Sequence, residues 1–261
     1  MIFKSIRSIY ETEVLDEKNN ATLWCGSLNQ TRPVGELPFI VQQYLSNCGY
    51  NDDGAVQFFR LNWKEAWLKM APGKAWLPVA CEQHNFIPVP SRIAYMHTNL
   101  FGILPIGAID RYQNGRGNML VKLMNLFKIT NAQGPEMDAA ELVTILAEAV
   151  IFPTYFLQNY ISCQLINVNT VKGTINNNGI KATGIFYFNS FGEFIAFETF
   201  DRYYSSKGKF QRTRWTVHVD GYNEQNGIRF PEKFRAVWHL PEGEYEYFIG
   251  TTGKIEWDAV H

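Results

Sequence analysis

The spacing of apolar positions divides the chain into a helical opening and a long strand-rich body. Ile2, Ile6 and Ile9 share one helical face, as do Phe3 and Tyr10, which predicts an amphipathic helix over residues 2–18. Asn19-Asn20, Gly26 and Pro33-Val34-Gly35 mark residues 19–35 as loop. Residues 37–45 predict a second short helix, closed by Asn47, Cys48 and Gly49. After residue 54 the signal changes to strands, predicted at 56–61, 76–84, 92–98, 104–112 and 119–130. Pro78 implies an edge or a bulge in the second of these. The run Gln113-Asn-Gly-Arg-Gly117 has the chemistry of a hairpin turn.

The run QGPEMDAAELVTILAEAVIFPTYFL (133–157) predicts the one strong helix of the body, over 138–151. Asp138 and Glu141 make a capping-box-like start, and Pro153 marks the end. From Ser162 onward, turn residues recur at 176–179, 189–192, 205–208, 226–227, 241–243 and 250–253, which fits an antiparallel meander. Trp215, Val217 and Val219 alternate with Arg214, Thr216 and His218. Phe234, Ala236, Trp238 and Leu240 alternate with Lys233, Arg235 and His239. That pattern predicts one apolar and one charged sheet face, with Glu244 and Glu246 opposite the basic stripe. Residues 185–188 (IFYF) and 194–197 (FIAF) are apolar on both faces and call for a second layer, for which helix 138–151 is the natural cover. With no internal repeat or clear linker, the expectation is a single domain over 1–261: a helical extension to residue 50, then a β-rich body over 51–261.

Composition narrows the classes. Aromatics at 15% of 261 residues favour strands, where rings pack on a pleated surface. A net charge of −1 leaves no basic excess to displace counterions from phosphates, so nucleic acid is not an expected partner. Cys25, Cys48, Cys81 and Cys163 form no CxxC pair, so they are expected to be free thiols rather than a metal site. The opening MIFKSIRSIYETEV lacks the apolar run of a signal peptide, and no stretch approaches the roughly 18 apolar residues of a membrane span. The expected location is the cytoplasm, or the envelope if an anchor precedes the given start. Membrane association without a span stays open, as does the oligomeric state.

The block GRGNMLVKLMNLFKITNAQGPEMDAAELVTILAEAVIFPTYFL (115–157) resembles the central block of a large bacterial family of unknown function. Phe59-Arg60-Leu61, Trp76-Leu77-Pro78 and Glu82-Gln83 resemble its earlier motifs, and Leu37-Pro38 with Tyr44-Leu45 its short helix. Asn226-Gly227-Ile228, Pro231 and Trp238 resemble its late hairpin, so the likeness spans about residues 37–257. Many members begin with membrane-spanning segments, which this chain lacks. His84 stands where the family often has Tyr, and Ile151 where it often has Trp. The order of meander, central helix and longer meander is also similar to periplasmic lipoprotein carriers, which implies a curved, incompletely closed barrel with helices over its opening. Fold likeness of this kind does not settle function.

Candidate chemistry centres on Glu148. Glu141, Thr144 and Glu148 share one face of the predicted helix. That stripe faces water, or is buried against a cationic or backbone partner, or faces an internal cavity; the sequence leaves all three open. Glu82 and His84 point to one side of a strand and, with Asp110 or Glu148, offer an acid–base pair. No metal site is expected, since HExxH is absent and no further His sits at ligand spacing. Asp110-Arg111-Tyr112 recurs as Asp201-Arg202-Tyr203, explained by local ion pairs or by ligand contact. No nucleophile elbow, dinucleotide loop or P-loop is present.

The expected fold is α+β: a curved antiparallel sheet or half-open β-barrel meander, one central helix covering its concave face, and N-terminal helices packed outside. The expected function is non-catalytic binding of a hydrophobic or lipid-like small molecule between sheet and helix, with no cofactor. Its lining is expected from Trp76, Met119, Val121, Leu142, Ile145, Ile185 and Phe197, with Glu148, Glu82, His84 and Asp110 as polar contacts. The competing classes are an enzyme using Glu148 with Glu82 or His84 as acid and base, and a structural or envelope-associated interaction protein.

Overall fold

A computed structural model describes residues 4–24, 31–50, 56–206 and 209–259. Ile2 and Phe3 of the predicted first helix, Cys25 and Gly26 of the predicted loop, and Gly208 of the predicted 205–208 turn lie outside the described residues. Helices α1 (Ile6–Trp24) and α2 (Phe39–Asn47) open the chain. The strands β1 (Val56–Leu68), β2 (Leu77–Pro78), β3 (Ala80–Phe86), β4 (Ser91–Leu100), β5 (Leu104–Gln113), β6 (Arg116–Leu123) and β7 (Phe127–Gln133) follow. Helix α3 (Pro135–Glu148) and a 3-10 turn (Pro153–Leu157) lead into the second run of strands. These are β8 (Ile161–Asn167), β9 (Thr170–Asn177), β10 (Ile180–Phe188), β11 (Phe194–Thr199), β12 (Tyr203–Ser206), β13 (Lys209–Arg212), β14 (Trp215–Gln225), β15 (Ile228–Leu240) and β16 (Gly243–Ala259).

The main sheet runs β7-β6-β5-β4-β3-β1-β16-β15-β14-β11-β10-β9-β8, antiparallel throughout, and β12-β13 form a separate hairpin. Two meanders therefore meet where the first strand pairs with the last, Leu61 opposite Ile255. Edge strands β7 and β8 do not pair, so the sheet is not closed into a barrel. Helix α3 leaves one edge and packs against both wings, touching β5, β6 and β7 on one side and β9 and β10 on the other. In a flat sheet β6 and β10 would stand about 43 Å apart at ~4.8 Å per strand. A helix only ~10–12 Å across can touch both only if the sheet curls around it.

Two glycines permit the close approach. A Cβ on Gly117 in β6 would collide with the Met137 carbonyl at the start of α3. On the other wing, a Cβ on Gly173 would meet the Phe186 ring and Leu146 of α3. The core so formed joins Leu142, Ile145 and Leu146 to Phe156, Phe186, Phe194 and Phe197.

Several boundaries differ from the sequence reading. Helix α1 starts at Ile6 because the Ser5 hydroxyl accepts the Ser8 N–H (3.0 Å) as an N-cap. It continues through Asn19-Asn20, since Ala21 and Glu17 on the next turns are buried against the sheet. Helix α3 starts at Pro135, after Gly134 at φ 121°, rather than at Asp138. The Asp138 carboxylate instead accepts the Gly117 N–H (2.7 Å) and pins the helix to β6. The predicted strand 119–130 is broken by a turn in which Met124 and Asn125 take φ of 54° and 58°. Strand 76–84 is divided at Val79, whose N–H turns to Ala66 O (2.9 Å), so the break near Pro78 is real.

Among the described helices, α1 is the one that lies on the outside. Its Ile6, Tyr10 and Val14 pack on Phe86, Ile93 and Ile109 on the convex face. Helix α2 was expected there too, but Val41, Tyr44 and Leu45 join the inner core, where the Tyr44 hydroxyl donates to Val150 O (2.5 Å). An apolar stripe of this kind is buried where a carbonyl can satisfy its one polar tip.

Candidate functional site

A cavity of about 510 Å³ lies between α3 and the inner face of the sheet. The alternation of β14 and β15 builds one wall: Trp215, Val217, Phe234, Ala236 and Trp238 all face it. Their neighbours face out, where Arg235 pairs with Glu246 (3.1 Å) and His239 with Glu244 (3.2 Å), as the pattern predicted. Met96 and Met119 line the opposite wall. The floor is helix α3, through Ala140, Glu141, Thr144, Ala147 and Glu148.

The 141/144/148 stripe therefore turns toward the sheet, and all three residues are buried. Arg92, on the inner side of β4, is the reason a carboxylate survives there. Its Nε donates to Glu148 Oε1 (2.8 Å), and its Nη1 to Asp110 Oδ2 (3.0 Å) and Glu141 Oε2 (3.5 Å). Asn85 Nδ2 donates to the other Glu148 oxygen (2.6 Å). Asn85 is in turn held by Gln83 (2.9 Å), and Gln83 by the Trp63 indole N–H (2.9 Å). Every link is an inward-facing position of its strand.

One guanidinium serves three carboxylates, so the corner carries excess negative charge, which the Arg202 guanidinium and a bound proton offset. Burial, reinforced by the adjacent Asp110, pushes the Glu141 carboxyl up to about 8. At neutral pH Glu141 keeps its proton and offers a donor beside Asp110, whose Oδ1 has no other hydrogen-bond partner among the described residues. Burial pushes the thiol of Cys81, also in the lining, up to about 12, so it is held as the thiol rather than the nucleophilic thiolate at neutral pH. Among the described residues no group of three or more His, Cys, Asp and Glu is arranged to hold a metal ion.

Arg202 completes the polar set. Its guanidinium lies over the Trp215 ring (4.3 Å) and near the Trp238 ring (5.7 Å) in the cavity wall. It makes no hydrogen bond or ion pair through its side chain among the described residues. The repeated Asp-Arg-Tyr tripeptide thus contributes different members at its two sites. Asp110 of the first faces the cavity while Arg111 reaches out to Glu13 on α1. In the second, Asp201 is used up by Thr183 and Arg212, and Arg202 faces in. Arg202 was marked in the sequence by the repeated tripeptide, whereas Arg92 was not, because nothing local distinguishes it from other strand arginines.

Of the expected contacts, Glu148, Asp110 and Met119 line the cavity. Glu82 and His84 do not. They lie on the convex face under α1, where Glu82 pairs with Arg7 (2.8 Å) and Arg60 (2.9 Å), and His84 Nδ1 meets the Tyr10 hydroxyl (2.8 Å). Burial would raise the Glu82 carboxyl, but Arg7 and Arg60 hold it below its usual range. Burial, with Lys18 next, pulls His84 down to about 4. The proposed acid–base set with Glu148 does not assemble, since the sheet separates its members. Leu142, Ile145 and Phe197 are consumed by the filled core, and Ile185 and Val121 are only half-buried and outside the lining. Trp76 lies in the loop before β2, with Lys69 Nζ over its ring (4.3 Å).

A family model described as a family of unknown function (DUF6544) matches residues 27–250, a span that includes the central block 115–157. No curated protein matches the chain. Among solved structures, the chain is similar to a LolA superfamily protein from Nitrosomonas europaea. Identity is 11% over 85% of this chain and 94% of that one, with a TM-score of 0.48. It is also similar to a DUF1329 family protein from Desulfovibrio piger, at 11% identity over 87% and 94%, with a TM-score of 0.39. No described helix is long and apolar enough to cross a membrane.

Proposed function

We propose that this chain, which belongs to the DUF6544 family of unknown function, binds a hydrophobic or amphipathic, lipid-like small molecule between α3 and the sheet. The observation that carries this reading is the cavity itself. It is a half-open pocket of about 510 Å³ that the side chains around it leave unfilled. The volume falls in the range of ~300–1,000 Å³ used for small ligands. Methionine, tryptophan and phenylalanine supply apolar area, and a few charged groups stand at fixed places among them. Arg202, held over two rings with its donors unused, suits an acidic head group, since a guanidinium binds a carboxylate through paired N–H donors. Glu148 and Asp110 are then walls of the site, already engaged by Arg92, rather than reacting groups.

The test is native mass spectrometry of the protein purified from cells, followed by organic extraction of whatever travels with it. A discrete mass increment that extraction removes is the expected result. Protein that arrives uniformly bare, and that fails to take up a long-chain carboxylate at one site per chain, overturns the reading.

A further inference from the structure

One end of the sheet carries a rim of loops beside the mouth of the cavity. The β4–β5 turn, the β6–β7 turn and the loop from β1 to β2 all project there, as the pairings Leu100–Leu104, Leu123–Phe127 and Leu68–Leu77 require. Met124 N–H donates to Pro105 O (2.7 Å) and ties the first two turns together. Thr98 Oγ1 donates to Pro78 O (2.6 Å) and draws in the third. Met70, 65% exposed, belongs both to this loop and to the cavity lining.

The tips are apolar in an unusual way. Phe101 and Ile103 are 83% and 77% exposed, and Leu126 and Phe127 are exposed beside them. Phe101 and Met124 sit in the left-handed region, at φ 54° each. The same chain builds its other tight turns from Asn114-Gly115, Asn178-Gly179 and Asn226-Gly227, the residues that region favours. Among the described residues it is only at the rim that bulky apolar side chains hold left-handed positions, where they cost backbone energy and face water.

Charge points the same way. Lys69, Lys74, Lys122 and Lys128 lie in or beside the three loops. None has an ion-pair partner among the described residues. Residues 66–81, 83–109 and 111–135 contain no Asp or Glu. Protruding tips flanked by lysine differ from a protein–protein patch, whose centre is depleted in lysine. They match an interface where rings enter and ammonium groups stay at phosphate level. We propose that this rim docks on an anionic lipid surface, with the hairpin tips in the headgroup layer and the four lysines on lipid phosphates. Docking there is independent of what the cavity holds, so extraction and vesicle binding fail separately.

The experiment is flotation of the full chain with vesicles of phosphatidylcholine alone, or mixed with phosphatidylglycerol. The chain is expected to float with the mixed vesicles and to be released by salt. Replacing the four lysines by Gln is expected to lower binding about fivefold per lysine on mixed vesicles only. The double variant Phe101→Asn, Met124→Asn is expected to lose roughly tenfold or more in binding. Because Asn tolerates the left-handed region, this variant should melt no lower than the parent. A parent chain that stays unbound, or a double variant that floats as well as the parent, overturns the proposal. So does a concentration-dependent dimer that the double variant abolishes without any flotation of the parent, which would assign the rim to a second copy.

Discussion

Arg92 Nε stands 2.8 Å from Glu148 Oε1, and through that contact a strand of the first meander holds the helix that joins the two meanders. The pair is buried, and the same guanidinium reaches Asp110 and Glu141.

Removing the cation should therefore cost more than removing one acid. Arg92→Met leaves three buried carboxyl groups without their shared donor. Breaking a buried pair this way typically costs about 3–5 kcal/mol. Urea denaturation should show that loss, and adding Glu148→Leu to Arg92→Met should recover part of it. Equal stability of the single variant and the parent would show that the corner is hydrated rather than held by Arg92.

The corner should also make stability depend on pH. The Glu141 carboxyl is raised in the folded state from 4.5 to about 8, so the folded chain binds more protons than the unfolded one between those values. Its contribution is complete below the unfolded value and is lost as pH rises through the folded one. Thermal melts should show it fading toward pH 8, and Glu141→Gln should flatten that part of the profile.

His84 should act with the opposite sign. Its folded value is lowered from 6.5 to about 4, so the unfolded chain binds the extra proton. Stability from the neutral ring is present above 6.5 and declines as pH falls toward 4. Because His84 contacts Tyr10 of α1, Tyr10 amide exchange should report the loosening, and His84→Gln should remove the acid-side slope.

Filling the cavity should separate binding from folding. Ala236 is buried and faces the void, so Ala236→Trp places an indole where the ligand would lie. Uptake of a long-chain carboxylate should be abolished while the far-ultraviolet circular dichroism is kept. Arg202→Met should weaken the carboxylate roughly tenfold or more, leaving an uncharged analogue of equal length unaffected. Equal loss for both would mean that Arg202 shapes the wall rather than holding a head group.

Much of the scaffold is written in local pattern. Alternation in β14 and β15 placed Trp215, Phe234 and Trp238 on one face because a strand's side chains alternate whatever surrounds them. The apolar run before Pro153 announced α3, although the helix stops at Glu148 rather than 151 and Pro153 opens the 3-10 turn that follows. The turn at Met124-Asn125 was missed because its residues carry no glycine signal, and the backbone conformation there is imposed by pairing on either side.

What the sequence by itself determined is which residues share a face. Glu82 goes with His84, Glu141 with Thr144 and Glu148. Tertiary structure alone decided which face looks inward. Docking of α1 assigned Glu82 and His84 to the outside, and curling of the sheet turned Glu148 toward Arg92, 56 positions away in the chain. The physical reason is that a buried carboxylate is tolerated only beside a compensating donor. That donor comes from a separate element, so its presence is a property of the packed molecule and not of any segment.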